Sequence, residues 1–407
     1  MAMNDTKEMK NNVESPLEIY KQSVVFTDTA GSSRKLSPII KWAGGKEQEL
    51  KYIIPNLPLQ FQDYYEPFVG GGAVYTAVQA DNYFINDKSD ELINLYRSIT
   101  NGDRQIFFEV VDQIIRNWDL LTTIIQDNAI FFISNYKKYA AGELNDSAFE
   151  EILFEFILKN TDGFTGMFSV IFNFNIENFI KEIKINLIRK CKRMKKLELI
   201  KNLLPDKDIL DNIETAFKSA FYMQFRFLYN NSKKYNLNAA CKSAIFLFIR
   251  NFAYSGMFRY NSSGDFNVPY GGIAYNSKNF QKKVDYLRMQ ELKSLLDKTR
   301  IENLDFEDFF NLHTPTINDF IFLDPPYDSE FSTYAKNEFT KADQKRLADF
   351  LIKKCKAQWM MIIKNTDFIH SLYAHSGLNI KSFDKTYLVS FMNRNDKNVE
   401  HLLITNY

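Results

Sequence analysis

Residues 320–329 read FIFLDPPYDS, and the rest of the chain is interpreted outward from them. Phe320-Ile321-Phe322-Leu323 is a short apolar run bounded by turn residues, the pattern of a buried core strand. Proline lacks the N–H that a central ladder needs, so the strand ends at Asp324. Pro325 and Pro326 fix φ at two successive positions and stiffen the turn that follows. Asp324 and Tyr327 are thereby presented by a rigid backbone at the C-terminal edge of a strand, where open α/β sheets bind ligands. The plainer alternative is a strand end whose Asp merely caps the next element, and the choice between them rests on the other motifs.

From Leu36 to about Ile99, short apolar runs alternate with glycine loops and helical stretches, as in an α/β layer. Residues 103 to about 250 change character: phenylalanine, isoleucine, lysine and asparagine dominate and helical periodicity prevails. IFFEVVDQIIRNW, FEEILFEFILKN and ETAFKSAFYMQFRFLYNN all read as helices. Residues 251–276 are loop-like. After about residue 300 the α/β character returns, with a strand at 320–323, a helix over 340–356, the strand WMMIIKN and a further helix. TYLVSFMNRNDKNVEHLLITNY reads as a β-hairpin around Asn393–Asn398. The simplest architecture is one α/β domain split by a large, mostly helical insertion. Its halves are residues 34–100 and 300–407, the insertion is 101–299, and residues 1–33 form a flexible arm.

The chain has 407 residues, 45% hydrophobic and 15% aromatic, enough for two or three domains with a large core. No run of about eighteen uncharged apolar residues is present, which argues against a membrane span. The opening MAMNDTKEMKNN reads as neither a signal nor a transit peptide. Cys191, Cys241 and Cys355 lie far apart and fit reduced thiols in a cytoplasm. Four histidines without ligand spacing argue against a zinc site, and no metal is expected. A net charge of +1 means that any affinity for nucleic acid has to come from local patches. RKCKRMKK, Arg189 to Lys196, is the main such patch. It lies where Ile180, Ile183, Leu187 and Ile188 predict an amphipathic helix with a basic face.

Three more segments bear on Asp324. KWAGGK, Lys41 to Lys46, resembles a phosphate loop only superficially: position 40 is Ile, and Glu47 stands where a Walker A motif needs Ser or Thr. YYEPFVGGGAV, Tyr64 to Val74, runs from an apolar strand through three glycines to a helix expected near Ala73. Glycines at such a turn let a ligand approach the backbone, although the spacing is not that of a dinucleotide fingerprint. YFINDKSDELINLY places a second strand at Tyr83–Ile85 ending in Asn86-Asp87. An acidic residue about 20 positions past the first strand is placed for ribose hydroxyls. Asp87 also stands near a helix start, but Ser89 or Asp90 serves equally well as the cap.

KWAGGK, EPFVGGG, an Asp after the second strand, a long insertion, GDFNVPYGG and DPPY, in this order, resemble the Dam-type (alpha group) DNA adenine-N6 methyltransferases. The resemblance covers roughly residues 36–100 and 250–407. It implies a Rossmann-like S-adenosylmethionine-dependent methyltransferase sheet, α/β in class, with a large helical target-recognition insertion. It implies catalysis by Asp324, Pro325, Pro326 and Tyr327 on an adenine extruded from duplex DNA, since the target atom is unreachable inside the stack. For S-adenosylmethionine it implies Trp42, Ala43, Gly44, Gly45 and Lys46; Glu66, Pro67, Phe68, Gly70 and Gly72; Asp87 on the ribose; and Asp324. Residues 251–272 match the family's DNA-probing hairpin and contribute Tyr254, Ser255, Met257, Arg259 and Asn261, while Asn267, Pro269 and Tyr270 shape the loop. Lys41 matches a position that reaches a base of the target site. KNTD at Lys364–Asp367 matches a wall of the base pocket, and Tyr387 and Arg394 border it, Arg394 as a further DNA contact. The family's Tyr-Asn-Gly-Leu-Cys-Arg-like wording is Tyr-Ser-Gly-Met-Phe-Arg here, so the target sequence is left open.

Rival chemistries fit less well. Cytosine-N4 methylation uses the same amine chemistry but usually has Ser where Asp324 stands. Cytosine-C5 methylation needs a Cys preceded by Pro, whereas Lys190, Ala240 and Lys354 precede the three cysteines. A non-catalytic DNA-binding subunit on the same fold is the rival from another class, and the intact set Trp42, Lys46, Asp87 and Asp324 argues against it. The expected partner is double-stranded DNA, with a cognate restriction endonuclease acting separately. A cytoplasmic, nucleoid-associated monomer is expected, and the basic helix becomes a candidate phosphate-contacting face.

Overall fold

The structure is a computed structural model. It describes residues 36–100, 102–167, 176–327, 339–374, 377–386 and 398–407, and a two-residue antiparallel pairing of Phe26–Thr27 with Ser33–Arg34. The described residues up to Lys88 and from Gln290 onward form one compact unit, and Ser89–Met289 form a second.

The first unit is built on a seven-stranded sheet. Its strands are β1 (Tyr64–Glu66), β2 (Tyr83–Asn86), β3 (Thr299–Glu302), β4 (Phe320–Leu323), β5 (Gln358–Lys364), β6 (Asn379–Thr386) and β7 (Asn398–Thr405). Their spatial order is β3-β2-β1-β4-β5-β7-β6. The first five run parallel, and β7 lies antiparallel between β5 and β6. Strands buried on both faces read as unbroken apolar runs, as every residue of β4 and the five central residues of β5 do. Chain direction across the sheet reverses between β1 and β4, whose register pairs Tyr64 with Phe320 and Tyr65 with Ile321. The strand ends that carry Glu66 and Asp324 therefore lie side by side at a topological switch point. The helix Lys341–Lys353 starts at a capping box between Thr340 and Asp343. It buries Leu347, Ala348 and Leu351 in the same core as Ile321, Leu323 and Trp359.

One expectation needs correction. No α-helix begins near Ala73: the chain makes only a short 3-10 turn at Tyr75–Ala77. The C-terminal hairpin pairs β6 with β7, its first arm starting at Asn379, before the stretch that suggested it; residues 387–397, including Asn393, lie outside the described residues.

The second unit is helical: α1 (Asp90–Ser98), α2 (Arg104–Asp127), α3 (Ala129–Ala140), α4 (Asp146–Lys159), α5 (Thr161–Gly166), α6 (Ile176–Glu198), α7 (Asp206–Asn230), α8 (Ala239–Phe252) and α9 (Phe280–Arg288). Aromatic rings dominate its core. Trp118 of α2 meets Phe221 of α7, Phe248 and Phe252 of α8, and Tyr270, with centroids 4.4–5.9 Å apart. The seam of α6 is Phe179, Ile183, Leu187, Cys191 and Met194, with Ile180 and Ile188 half-buried at its margins. No helix among the described residues is long and apolar enough to cross a membrane.

Candidate active site

Asp324 directly follows the last residue of β4, where the ladder ends. Lys46, 3% exposed, donates from Nζ to Asp324 Oδ2 at 2.6 Å, to the Gly44 carbonyl at 2.9 Å and to the Tyr327 hydroxyl at 3.3 Å. The KWAGGK turn thus delivers a cation to the first and last residues of Asp324–Tyr327. Gly44 makes that turn with φ +72°, the left-handed region that suits glycine. A buried charge needs a partner and satisfied donors, and Lys46 has both. The second proline is pinned as well: Gln344 Nε2, from the helix Lys341–Lys353, donates to the Pro326 carbonyl at 2.7 Å. The ring of Tyr327 meets His401 of β7 edge-on, centroids 5.4 Å apart at 87°. Neither Gln344 nor His401 was expected from sequence. The signal for Gln344 is a polar residue, fully buried, on the stripe that Leu347, Ala348 and Leu351 make at spacings of three and four.

The glycine turn after β1 meets the strand end of β2. The Gly70 N–H donates to Asp87 Oδ2 at 3.1 Å, and the Asp87 carbonyl accepts from Asn303 Nδ2 at 2.8 Å. Ser89 caps α1 by accepting from the Leu92 N–H, so the cap role falls to Ser89 rather than Asp87. Asn86, missed in the sequence, ties three segments together. Its Nδ2 donates to the Pro67 and Leu304 carbonyls, and its Oδ1 accepts from the Leu304 N–H. Trp42 packs over the turn: a Cβ on Gly70 would stand 3.2 Å from its indole, and one on Gly71 only 2.3 Å from the Ile40 carbonyl oxygen. Ala43 and Gly45 are exposed in the same loop, Gly72 turns with φ +79°, and Phe68 packs between Phe306 and Phe339. Glu66 is buried and accepts from the Tyr64 hydroxyl at 2.7 Å. Burial holds its carboxyl well above the ordinary value; the Tyr64 hydroxyl opposes that shift and the Asp324 charge adds to it. Among the described residues, no group of three or more His, Cys, Asp or Glu is placed to hold a metal ion.

The other predicted contacts fall in separate places. In the helical unit, residues 253–270 form a loop closed by the bridges Ala253–Tyr270 and Tyr260–Phe266. Tyr254, Ser255, Arg259 and Asn261 are exposed and Met257 is half-buried. Ser255 takes φ +52°, rare for a non-glycine residue. Helices α7 and α8 hold the loop's backbone through side chains. Arg250 Nη1 donates to the Gly256 and Met257 carbonyls at 3.3 and 3.1 Å, and Tyr222 and Arg226 donate to the Val268 carbonyl. Asn230 exchanges two hydrogen bonds with the Phe266 backbone, at 2.9 and 3.0 Å. Burial lowers the Arg250 guanidinium to about 10, so it remains a cation at neutral pH. Arg259 Nε donates to Asn267 Oδ1 at 3.0 Å, and the Tyr254 N–H to the Pro269 carbonyl at 2.9 Å. In the sheet unit, Lys41 is exposed, and KNTD ends β5 and supplies Thr366 as the cap of the helix Asp367–Tyr373. Tyr387 and Arg394 lie outside the described residues.

A sheet of five parallel strands with an antiparallel β7 inserted beside β5, a glycine turn after β1 and an acidic residue after β2 defines a Rossmann-like methyltransferase. Residues 42–176 and 159–389 match the family described as D12 class N6 adenine-specific DNA methyltransferase, and the chain belongs to it. Its activity is site-specific methylation of DNA at the N6 amine of adenine. The match runs through the helical stretch 103–248, where no motif had shown a resemblance. The chain is 27% identical over 377 residues to the type II methyltransferase M.CviBI of Paramecium bursaria Chlorella virus NC1A, covering 91% of this chain and 100% of that one. It is 25% identical to the type II methyltransferase M.MjaIII of Methanocaldococcus jannaschii, covering 92% and 100%. It is 24% identical to the DNA adenine methylase of Vibrio cholerae serotype O1, covering 87% and 90%.

Proposed function

We propose that the protein binds S-adenosylmethionine at the C-terminal ends of β1, β2 and β4 and methylates an adenine turned out of duplex DNA, with Asp324 as the central catalytic residue. The observation that carries this reading is the 2.6 Å contact between Lys46 and Asp324 at the switch point of the sheet. The residues suit the cofactor. Left-handed turns at Gly44, Gly70 and Gly72 leave backbone open to close approach, the Trp42 indole offers a flat surface for an adenine ring, and Asp87 offers a carboxylate for hydroxyls. S-adenosylmethionine, when bound, supplies a methyl group activated by its sulfonium charge, with a neutral thioether as leaving group.

The protein's remaining task is to make a poor nucleophile competent. The lone pair of an exocyclic adenine amine is delocalised into the ring. Asp324 and the Pro325 carbonyl accept the two amino hydrogens, which shifts electron density onto nitrogen and fixes the amine's orientation. Lys46 holds Asp324 by its Oδ2, and Gln344 holds Pro326, so that the acceptors do not drift. Tyr327 offers its ring to the extruded base. The rate comes from orientation and pre-set polar groups.

The sheet unit is the catalytic domain and the helical unit the target-recognition domain, with Tyr254, Ser255, Met257, Arg259 and Asn261 toward DNA. An asymmetric reading surface needs no two-fold symmetry, so the protein acts as a monomer. The type II names of two relatives support a separately acting endonuclease in the same cytoplasm.

The test is label transfer. Bacterial DNA grown without adenine methylation is incubated with the protein and tritiated S-adenosylmethionine, then digested to nucleosides. Label is expected in N6-methyladenosine and should fall by at least about 10³ in Asp324→Ala. Label in N4-methylcytosine, or an unaffected Asp324→Ala variant, overturns the mechanism.

A further inference from the structure

The helical unit presents a second surface suited to DNA, away from the loop 253–270 in sequence. Between Lys181 and Lys201 the chain carries nine Lys or Arg and two Glu, in a protein of net charge +1. Most of these residues lie on α6, whose opposite side is sealed in the core by Ile183, Leu187, Cys191 and Met194. At 100° per residue, Lys181, Ile185, Arg189, Lys192, Arg193 and Lys196 fall on the solvent side.

Part of this charge is already engaged. Lys192 pairs with Asp146 at 3.1 Å and Glu150 at 2.7 Å, both of α4. Lys195 donates to the Tyr139 carbonyl and lies 3.9 Å from its ring centroid, and Lys184 lies over the Phe154 ring. Lys181, Arg189, Arg193 and Lys196 are different: all are exposed, and among the described residues none has a carboxylate within ion-pair distance. Arg189 holds only a neutral acceptor, Asn186 Oδ1, at 2.6 Å. The cluster repels itself: burial first, then Arg193 and Arg189, pull the Lys190 ammonium below its ordinary value. A stripe that keeps mutually repelling, unneutralised cations in line is stabilised by an extended polyanion.

We propose that this face of α6, through Lys181, Arg189, Arg193 and Lys196, binds the phosphate backbone of duplex DNA. The inference rests on the DNA reading above and adds a contact surface to it. Fifteen residues of helix span about 22 Å, and a strand offers a phosphate every ~3.4 Å of duplex axis, so several contacts fit. Such contacts position the protein and carry no sequence information. A membrane surface fits less well, because the apolar side of α6 is already packed in protein and cannot enter a lipid interface.

The experiment compares the full-length protein with the variant Lys181→Gln, Arg189→Gln, Arg193→Gln, Lys196→Gln. Affinity for a fluorescent 30-base-pair duplex of random sequence is measured by anisotropy from 50 to 300 mM NaCl. Exposed side chains are changed, so thermal melting should be unaltered. The variant should bind at least about tenfold more weakly at 100 mM, and its log Kd against log salt should be shallower by about 3, close to one per lost contact. Replacing Arg189 and Arg193 by Lys should restore the slope. An unchanged slope overturns the inference. So does an unchanged slope with loss of binding to phosphatidylserine vesicles, which would make α6 a membrane face. Adenine labelling at saturating DNA separates the two readings. Label from both proteins with identical slopes leaves the methyltransferase standing without this surface. No label from the wild type removes the DNA reading and the inference together.

Discussion

In the sheet unit, Asp324 and Asp87 stand where backbone chemistry puts them: β4 meets two prolines, and β1 runs into glycines whose N–H reaches the end of β2. In the helical unit, the loop 253–270 has no ladder of its own beyond two bridges. Side chains of α7 and α8, namely Tyr222, Arg226, Asn230 and Arg250, grip its carbonyls and one N–H. The first kind of placement depends on residues with special backbone behaviour and tolerates little change. The second depends on long side chains that other side chains can replace.

The sharpest way to break this comparison is Gly71→Ala. The added Cβ would stand 2.3 Å from the Ile40 carbonyl oxygen, a contact that only a backbone shift relieves. A cost of about 3 kcal/mol in urea denaturation is expected, with loss of cofactor binding. Gly44→Ala makes the control. Its Cβ meets nothing within 4 Å, but φ is +72°, so only strain of about 1 kcal/mol is expected. Equal costs for the two variants would mean that backbone crowding does not set the turn.

The loop tests the other side. Asn230→Ala removes both hydrogen bonds to Phe266 and leaves two buried backbone groups unsatisfied, at about 2 kcal/mol. The expected signature is faster hydrogen exchange over 257–267 and weaker DNA binding, with methylation at saturating DNA nearly intact. Asn230→Asp keeps the acceptor for the Phe266 N–H and loses the donor, so its effect should be intermediate. If Asn230→Ala exchanged like the wild type, the loop would be held by its own turns.

Within the sheet unit itself, residues differ in how far the sequence disclosed them. The strand of Phe320–Leu323, its stop at Asp324, the glycine turn after β1 and an acidic Asp87 after β2 are readable because proline restricts the backbone and glycine enters left-handed turns without strain wherever they stand. Gln344 and Asn86 are not readable in that way: each acts on a carbonyl that only tertiary packing brings near. A polar residue on an apolar stripe is a hint of such a role, but it does not name the partner. The expected helix at Ala73 failed for a related reason. Val74 to Ala77 are buried, and the chain leaves the 3-10 turn in extended conformation at Val78. The start of the C-terminal hairpin's first arm at Asn379 was not read because Asn379–Thr386 is polar along most of its length, so periodicity gave it no strand signal.

A further effect concerns charge. Glu66 is buried at the end of β1, and burial, with the Asp324 charge acting in the same direction, raises its carboxyl well above 4.5 in the fold. A group raised on folding contributes stability that is fully present below its unfolded value and lost as pH rises through its folded value. The wild type should therefore lose stability relative to Glu66→Gln as pH rises from 5 to 8, because Gln does not titrate. The gap between the two should widen steadily across that interval. Denaturation curves at both pH values measure it directly. A gap that stays constant would mean that the Tyr64 hydroxyl and the Lys46 cation already neutralise the cost of burying the charge. The strand ends of β1 and β4 would then share one charge network, and the site would be held by side-chain electrostatics as well as by its backbone.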